Sequence, residues 1–273
     1  RDLTPPGSVG RAAETESLLA CVAAGRHVLL EGPVGVGKTA LARAVCAALG
    51  RPMSRVDGDG RYTESKLVGL FDPPAVLARG YQPEHFVPGP LVTAMRAGGV
   101  LFVNELNRMP EGVQNVLLPA LDEGRIVVPH LGDVLAAPGF ALVATQNPAE
   151  FVATAALSEA LLDRFELVRL EYQSEAEEQH IVAQDCRCAP TPAMIAEAVG
   201  LVRATRVDPR FRRGASVRAA IAIADIAAQL GGDVRRAAAL ALPTRVELVD
   251  PGATPLPGVL DDLAKKAQVA PRS

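Results

Sequence analysis

The chain has 273 residues, 49% of them hydrophobic and 22% charged, with a formal net charge of −3. That composition sustains a packed core and excludes wholesale disorder. An acidic balance, with a pI of about 5.9, and an aromatic share of 4% without tryptophan argue against a dedicated nucleic-acid binder, which is ordinarily basic and offers stacking surfaces.

The opening Arg1-Asp2-Leu3-Thr4-Pro5-Pro6 has no apolar signal core, and no apolar run approaches a membrane span. A cytoplasmic protein is expected. Ala12 to Ala24 reads as a helix closed by Gly25, and His27 to Glu31 as a short apolar strand. A glycine-rich turn follows, and Thr39 to Leu49 is a helix closed by Gly50. Further strands are expected at Met53 to Val56, Val100 to Asn104, Phe140 to Thr145 and Phe165 to Leu170. Each is short and mostly continuous in apolar character, as in a parallel sheet buried on both faces. Helical patterns at Pro90 to Ala97, Glu111 to Asp122 and Ser158 to Arg164 lie between them. The alternation predicts an open, mostly parallel α/β sheet.

Two stretches interrupt the rhythm. Phe71 to Pro90, dense in Pro and Gly, reads as a long ordered loop or insertion. Arg125 to Leu135 reads as a hairpin turning at Gly132-Asp133. After about Tyr172 the strands stop. Ser174 to Asp185, with Ser174 and Glu177 in capping-box positions, Thr191 to Arg203, Ser216 to Leu230 and Asp233 to Leu242 are helical patterns. The Pro-rich Asp250 to Gly258 leads to a last helix, Val259 to Ala267. The division expected is an α/β core over residues 1–172 and a small all-helical lid over 173–273. Cys21, Cys46, Cys186 and Cys188 lack zinc-ligand spacing and read as reduced thiols.

The strongest chemical signal is Gly32-Pro33-Val34-Gly35-Val36-Gly37-Lys38-Thr39, which fits G-x-x-x-x-G-K-[ST] between a strand and a helix. The glycines let successive backbone N–H groups face phosphate oxygens, and the helix N-terminus adds its positive dipole end. Lys38 is placed to reach the β- and γ-phosphates, and the Thr39 hydroxyl to ligate Mg²⁺. Only four of the 28 basic residues are lysines, so chance would give such a match in roughly one of five hundred chains of this composition. A nucleotide site is expected.

Phosphate hydrolysis also needs an apolar strand ending in acidic groups. Val100-Leu101-Phe102-Val103-Asn104-Glu105 has that shape. Glu105 suits a general base that orients water, because a carboxylate accepts its proton. The preceding position, where an Asp normally supports the metal, holds Asn104, whose amide keeps one acceptor oxygen for a metal but carries no charge. A weaker Mg²⁺ shell is expected, and Asn104→Asp is expected to raise turnover.

At this point the residues resemble the MoxR branch of the AAA+ ATPases, over nearly the whole chain from Val9-Gly10-Arg11 to the last helix. The resemblance is carried in order by Thr63-Glu64-Ser65-Lys66-Leu67-Val68-Gly69, Pro88-Gly89-Pro90-Leu91, Asn104-Glu105-Leu106-Asn107-Arg108, Ala144-Thr145-Gln146-Asn147-Pro148, Leu161-Leu162-Asp163-Arg164-Phe165 and Gly214-Ala215-Ser216-Val217-Arg218-Ala219. It implies a P-loop NTPase with a five-stranded parallel sheet followed by a helical lid. It also implies ATP and Mg²⁺ as cofactors and a ring assembly, usually of six copies. By position Asn147 resembles sensor 1, Arg164 the arginine finger that enters the neighbouring subunit's site, and Arg218 the sensor 2 arginine of the lid. The two interruptions resemble the family's insertions, which face a pore or partner surface. Leu242-Pro243-Thr244-Arg245-Val246 departs from a segment that is more basic in relatives.

The resemblance implies an ATPase that remodels or matures a client protein, with metal-cofactor insertion and a partner carrying a von Willebrand factor A domain among the roles such relatives have. Asn104 leaves open a nucleotide-gated scaffold that binds ATP and scarcely hydrolyses it. A third reading, a nucleic-acid-acting AAA+ protein, has only the local cluster Arg206, Arg210, Arg212 and Arg213 in its favour.

Overall fold

The computed structural model describes residues 9–147, 157–250, 252 and 255–269. The opening Arg1 to Pro6, Pro148 of the sensor 1 block, and Pro251, Ala253 and Thr254 of the Pro-rich stretch lie outside the described residues. The chain divides into two compact units, residues 1–33 with 37–171, and residues 34–36 with 172–273.

The first unit is built on five strands: β1 (His27–Glu31), β2 (Met53–Asp57), β3 (Val100–Asn104), β4 (Ala141–Gln146) and β5 (Phe165–Arg169). Their order is β2-β3-β4-β1-β5, and every pairing is parallel. All five strands therefore end at one edge of the sheet. Continuous burial holds for the centre, where β4 is buried along its length and β3 at every position but Asn104. It fails for β2 and β5, each with one buried residue, Val56 and Val168. They are the sheet's two edges, where fewer neighbours exclude water.

Helix Ala12–Ala23 packs on β1, β5 and helix Lys38–Ala48, and helix Pro90–Ala97 on β2 and β3. Adjacent strand residues point to opposite faces. Leu101 and Val103 join a cluster with Leu91, Met95 and Leu142, while Phe102, between them, is wholly buried on the other face.

The pattern Glu111 to Asp122 forms two short helices, Glu111–Asn115 and Leu117–Asp122. Pro119 has no N–H to donate to Asn115, so the ladder of one continuous helix is interrupted there. The stretch expected as a long loop contains a ladder, Gly69–Phe71 against Phe86–Pro88, enclosing a helix at Pro73–Arg79. The second hairpin pairs Arg125–Val128 with Gly132–Leu135. Its reversal falls at residues 129–131, one step before the Gly132-Asp133 expected from composition. His130 at that reversal stacks on Tyr81 with ring centroids 3.8 Å apart, so the two insertions touch.

The second unit has helices Glu175–Asp185, Pro192–Val207, Val217–Gln229, Val234–Ala241 and Leu256–Val269. Ser174 and Glu177 form the expected capping box. Glu178, 1% exposed, is held by Arg206 at 2.7 Å and Arg203 at 3.2 Å. A buried carboxylate needs such partners because an unpaired one is costly. A small ladder, Phe211–Arg213 against Glu247–Leu248, was not signalled by the sequence.

Candidate active site

The site grows from the edge where the parallel strands end. β1 stops at Glu31, and the chain turns through Gly32, Gly35 and Gly37, all at positive φ, into helix Lys38–Ala48. Glycine is required at 32 by crowding as well as torsion: a Cβ there would sit 2.2 Å from the Leu170 carbonyl oxygen. Gly37 caps the helix in a left-handed conformation, and a Cβ there would meet nothing within 4 Å. The first N–H groups of a helix have no partner within the helix itself. Lys38 Nζ donates to the Gly32 and Pro33 carbonyls at 2.5 and 2.9 Å, which folds the ammonium over the turn. Thr39 is half-buried in the first helical turn. Pro33, Val34 and Val36 complete the turn, Val36 buried and Val34 exposed.

Two strands from β1, β3 ends at Asn104 and Glu105. Asn104 Nδ2 donates to Asp57 Oδ1 at 3.0 Å. Its Oδ1 accepts from the Thr145 hydroxyl at 3.0 Å, and Thr145 Oγ1 accepts the Glu105 N–H at 2.9 Å. Asp57, Asn104 and Thr145 thus join the ends of β2, β3 and β4. Glu105 leaves the sheet at φ 56, ψ 54, a left-handed conformation. Its carbonyl oxygen would lie 2.1 Å from a Cβ at position 58, so Gly58 is fixed by close approach. Glu105 Oε2 accepts from Arg108 Nη1 at 2.6 Å. The side-chain hydrogen bond from Arg55 holds the Asp57 carboxyl below its ordinary range, and the one from Asn104 acts in the same direction.

Asn147 follows β4 and is 5% exposed. Its neighbour Gln146 donates to Glu31 at 3.2 Å, tying the ends of β4 and β1 together. Arg164 is engaged by Asp122 in a fork, Nε to Oδ1 at 2.5 Å and Nη2 to Oδ2 at 2.6 Å. That pairing lowers the Asp122 carboxyl's affinity for a proton. Arg218 stands exposed in the first turn of helix Val217–Gln229, in the second unit.

The sheet therefore brings Asn104 and Glu105 together with Thr145 and Asp57. Sequence reasoning gave no role to Asp57 or Thr145. The only signal for Asp57 is that it directly follows the expected strand Met53 to Val56, which extends to include it, and strand order is what makes that useful.

Among the described residues no group of three or more His, Cys, Asp or Glu side chains could hold a metal by itself. A hydroxyl and an amide oxygen, Thr39 and Asn104, are oxygen donors that suit Mg²⁺ when phosphate oxygens and water complete the shell. A turn lined by glycines, a lysine above it and a helix N-terminus suit a polyphosphate.

A model of the AAA domain, dynein-related subfamily, matches residues 27–165. Gas vesicle ATPase GvpN from Ancylobacter aquaticus is 30% identical over 234 residues, which cover 77% of this chain and 63% of that protein. The chain thus spans under two thirds of that relative's length. An uncharacterized Staphylococcus haemolyticus protein, SH1500, is 31% identical over 199 residues, 66% of this chain and 75% of that one. Among solved structures, the RuvB Holliday junction branch migration motor of Thermotoga maritima superposes with a TM-score of 0.54 at 20% identity, covering 88% of this chain and 73% of that one. At that identity the likeness speaks for the fold. The match over residues 27–165, the P-loop at the end of β1 and the five-stranded parallel sheet lead to one conclusion: this chain has the AAA+ P-loop fold and belongs to the dynein-related subfamily of AAA domains.

Proposed function

We propose that this is an ATP-binding, Mg²⁺-dependent AAA+ ATPase of the MoxR type, acting as a ring, six-membered by analogy with relatives, that remodels or matures a client protein. The observation that carries the reading is the glycine-built turn under Lys38 at the end of β1, with Glu105 at the end of β3 on the same sheet edge. Backbone N–H groups from Gly32 to Thr39 and the Lys38 ammonium hold the phosphates. Thr39 and Asn104 would hold Mg²⁺, which would supply positive charge to the phosphates. Glu105 takes a proton from the attacking water, and Asn147 orients that water. Arg164 serves the neighbouring subunit's site, leaving Asp122 on assembly, and Arg218 reports the γ-phosphate to the lid. A partner with a von Willebrand factor A domain and metal-cofactor insertion in the client belong to the same proposal. So does a cytoplasmic location, with which the absence of a membrane-length apolar helix among the described residues is compatible.

Calorimetry and phosphate release test it. Wild type should bind ADP and hydrolyse ATP, Lys38→Ala should lose binding, and Glu105→Gln should bind normally while turning over about 10²–10⁴-fold more slowly. No heat with ADP or ATP would overturn the reading. Asn104 sustains the second reading, a nucleotide-gated scaffold; equal inactivity of wild type and Glu105→Gln, with binding intact, would select it. Against the nucleic-acid reading, Arg206 pairs with Glu178, Arg210 with Asp208 and Asp262, and Arg212 with Glu247; DNA-stimulated hydrolysis with steep salt dependence would revive it.

A further inference from the structure

A parallel ladder sets residues of equal register side by side, and Asp57 at the end of β2 is the register partner of Asn104 at the end of β3. The two ends of an amide are not alike: NH₂ only donates and the oxygen only accepts, whereas an ionised carboxylate only accepts. Asp57 therefore takes Asn104 Nδ2, at 3.0 Å. On the other side, Thr145 Oγ1 already accepts the Glu105 N–H, which leaves its own proton for Asn104 Oδ1. Both ends of the amide are thus assigned by their partners. Arg55 closes the line from outside, with Nη2 at 2.7 Å and Nε at 3.3 Å from Asp57 Oδ1, and Nε at 3.1 Å from Oδ2. The hydrogen bonds join Arg55, Asp57, Asn104, Thr145 and the Glu105 backbone across three strands.

We propose that the carboxylate of this strand end has moved one strand over: Asp57 is a positioning residue that fixes the Asn104 amide and lends it, through one hydrogen bond, the negative charge it lacks. An amide whose NH₂ is bound by a carboxylate has a more electron-rich oxygen, because hydrogen bonds in line polarise one another. Its oxygen is then a better ligand for a hard cation than a free amide's. The inference rests on the proposed role of Asn104 toward Mg²⁺. It also revises the expectation from sequence. Asn104→Asp on its own would set two carboxylates against each other at the present 3.0 Å contact, so the change that restores an acid at 104 is the exchange Asp57→Asn with Asn104→Asp. The exchanged pair reverses the bond, Asn donating from position 57, and leaves Arg55 the other oxygen of that side chain, which Nε now reaches at 3.1 Å.

The test is calorimetry on the full chain with the non-hydrolysed triphosphate AMP-PNP, with and without Mn²⁺, and with ADP in EDTA. The readout is the gain in AMP-PNP affinity on adding Mn²⁺. Asp57→Asn should cut that gain about tenfold, the lower end for outer partners of metal ligands, and leave ADP binding in EDTA within about twofold of wild type. The double exchange should recover the gain to within about threefold of wild type. Asp57→Asn with an undiminished Mn²⁺ gain would overturn the proposal, as would an exchange no better than Asp57→Asn. Failure of the underlying nucleotide reading is seen separately, as wild type that binds no ADP in EDTA, and it would overturn both. Asp57 is exposed and both replacements are isosteric, so unchanged thermal unfolding should accompany the effect.

Discussion

The main cluster of the α/β unit is filled chiefly with Leu, Val, Phe and Met, and among its described buried residues only Ala94, Ala120 and Ala144 are alanine. The helical unit's cluster instead holds Ala198, Ala215, Ala219, Ala220, Ala224, Ala227, Ala237, Ala238 and Ala241. A sheet layered with helices leaves a wide gap that long side chains must bridge, whereas helices meeting through alanine approach closely. The two interiors are therefore vulnerable to opposite errors, one to loss of volume and the other to its gain. The candidate catalytic groups divide too: Glu105 and Asn147 follow strand ends, Arg164 precedes the start of β5, and the helical unit contributes Arg218 from a first turn.

The largest effect expected from this contrast is at Phe102, wholly buried in the interior strand β3. Phe102→Ala should destabilise the α/β unit by about 3–5 kcal/mol, seen as a lower denaturant midpoint at unchanged slope. Ala224→Leu, in the wholly buried stripe of helix Val217–Gln229, should cost about 1–3 kcal/mol through overpacking. A neutral result there would show slack among the alanines and break the comparison.

The smallest effect expected is a pH trend belonging to the α/β unit. His27 Nδ1 accepts the Leu142 N–H at 3.0 Å, so the ring proton sits on Nε2, 3.3 Å from the Leu121 carbonyl. Burial holds its pKa below the ordinary 6.5. The unfolded chain therefore takes up the proton first. The contribution is complete above about pH 6.5 and declines as pH falls below it toward the folded pKa. His27→Asn, which preserves an acceptor for Leu142, should flatten that slope in denaturant titrations at pH 5 to 7.

The parts legible in the sequence were those written in short spacing. The turn from Gly32 to Thr39 lies within eight consecutive residues, and the five strands stood out as apolar runs between glycine and proline stops. The partnership of Asp57, Asn104 and Thr145 was not legible, because it depends on the order β2-β3-β4 and on register, neither of which a local pattern encodes. The left-handed backbone at Glu105 was equally hidden, since glutamate carries no signal for it. Burial of the edge strands was overestimated for a related reason: composition reports what a strand can bury, not how many neighbours it has. The ladder at Phe211–Arg213 and Glu247–Leu248 is shorter than any window in which alternation can be counted.

The swivel at Glu105 has a consequence for how such a strand end can change over time. A left-handed step in an L-residue costs ~1–2 kcal/mol, and the Thr145 hydroxyl on its N–H and Gly58 beneath its carbonyl leave the chain room for it. The main chain, rather than side chain 104, thus sets the direction in which this carboxylate departs. Acid and amide can be traded between positions 57 and 104 as a pair without re-aiming Glu105, while bulk added at Gly58 would knock it off its bearing.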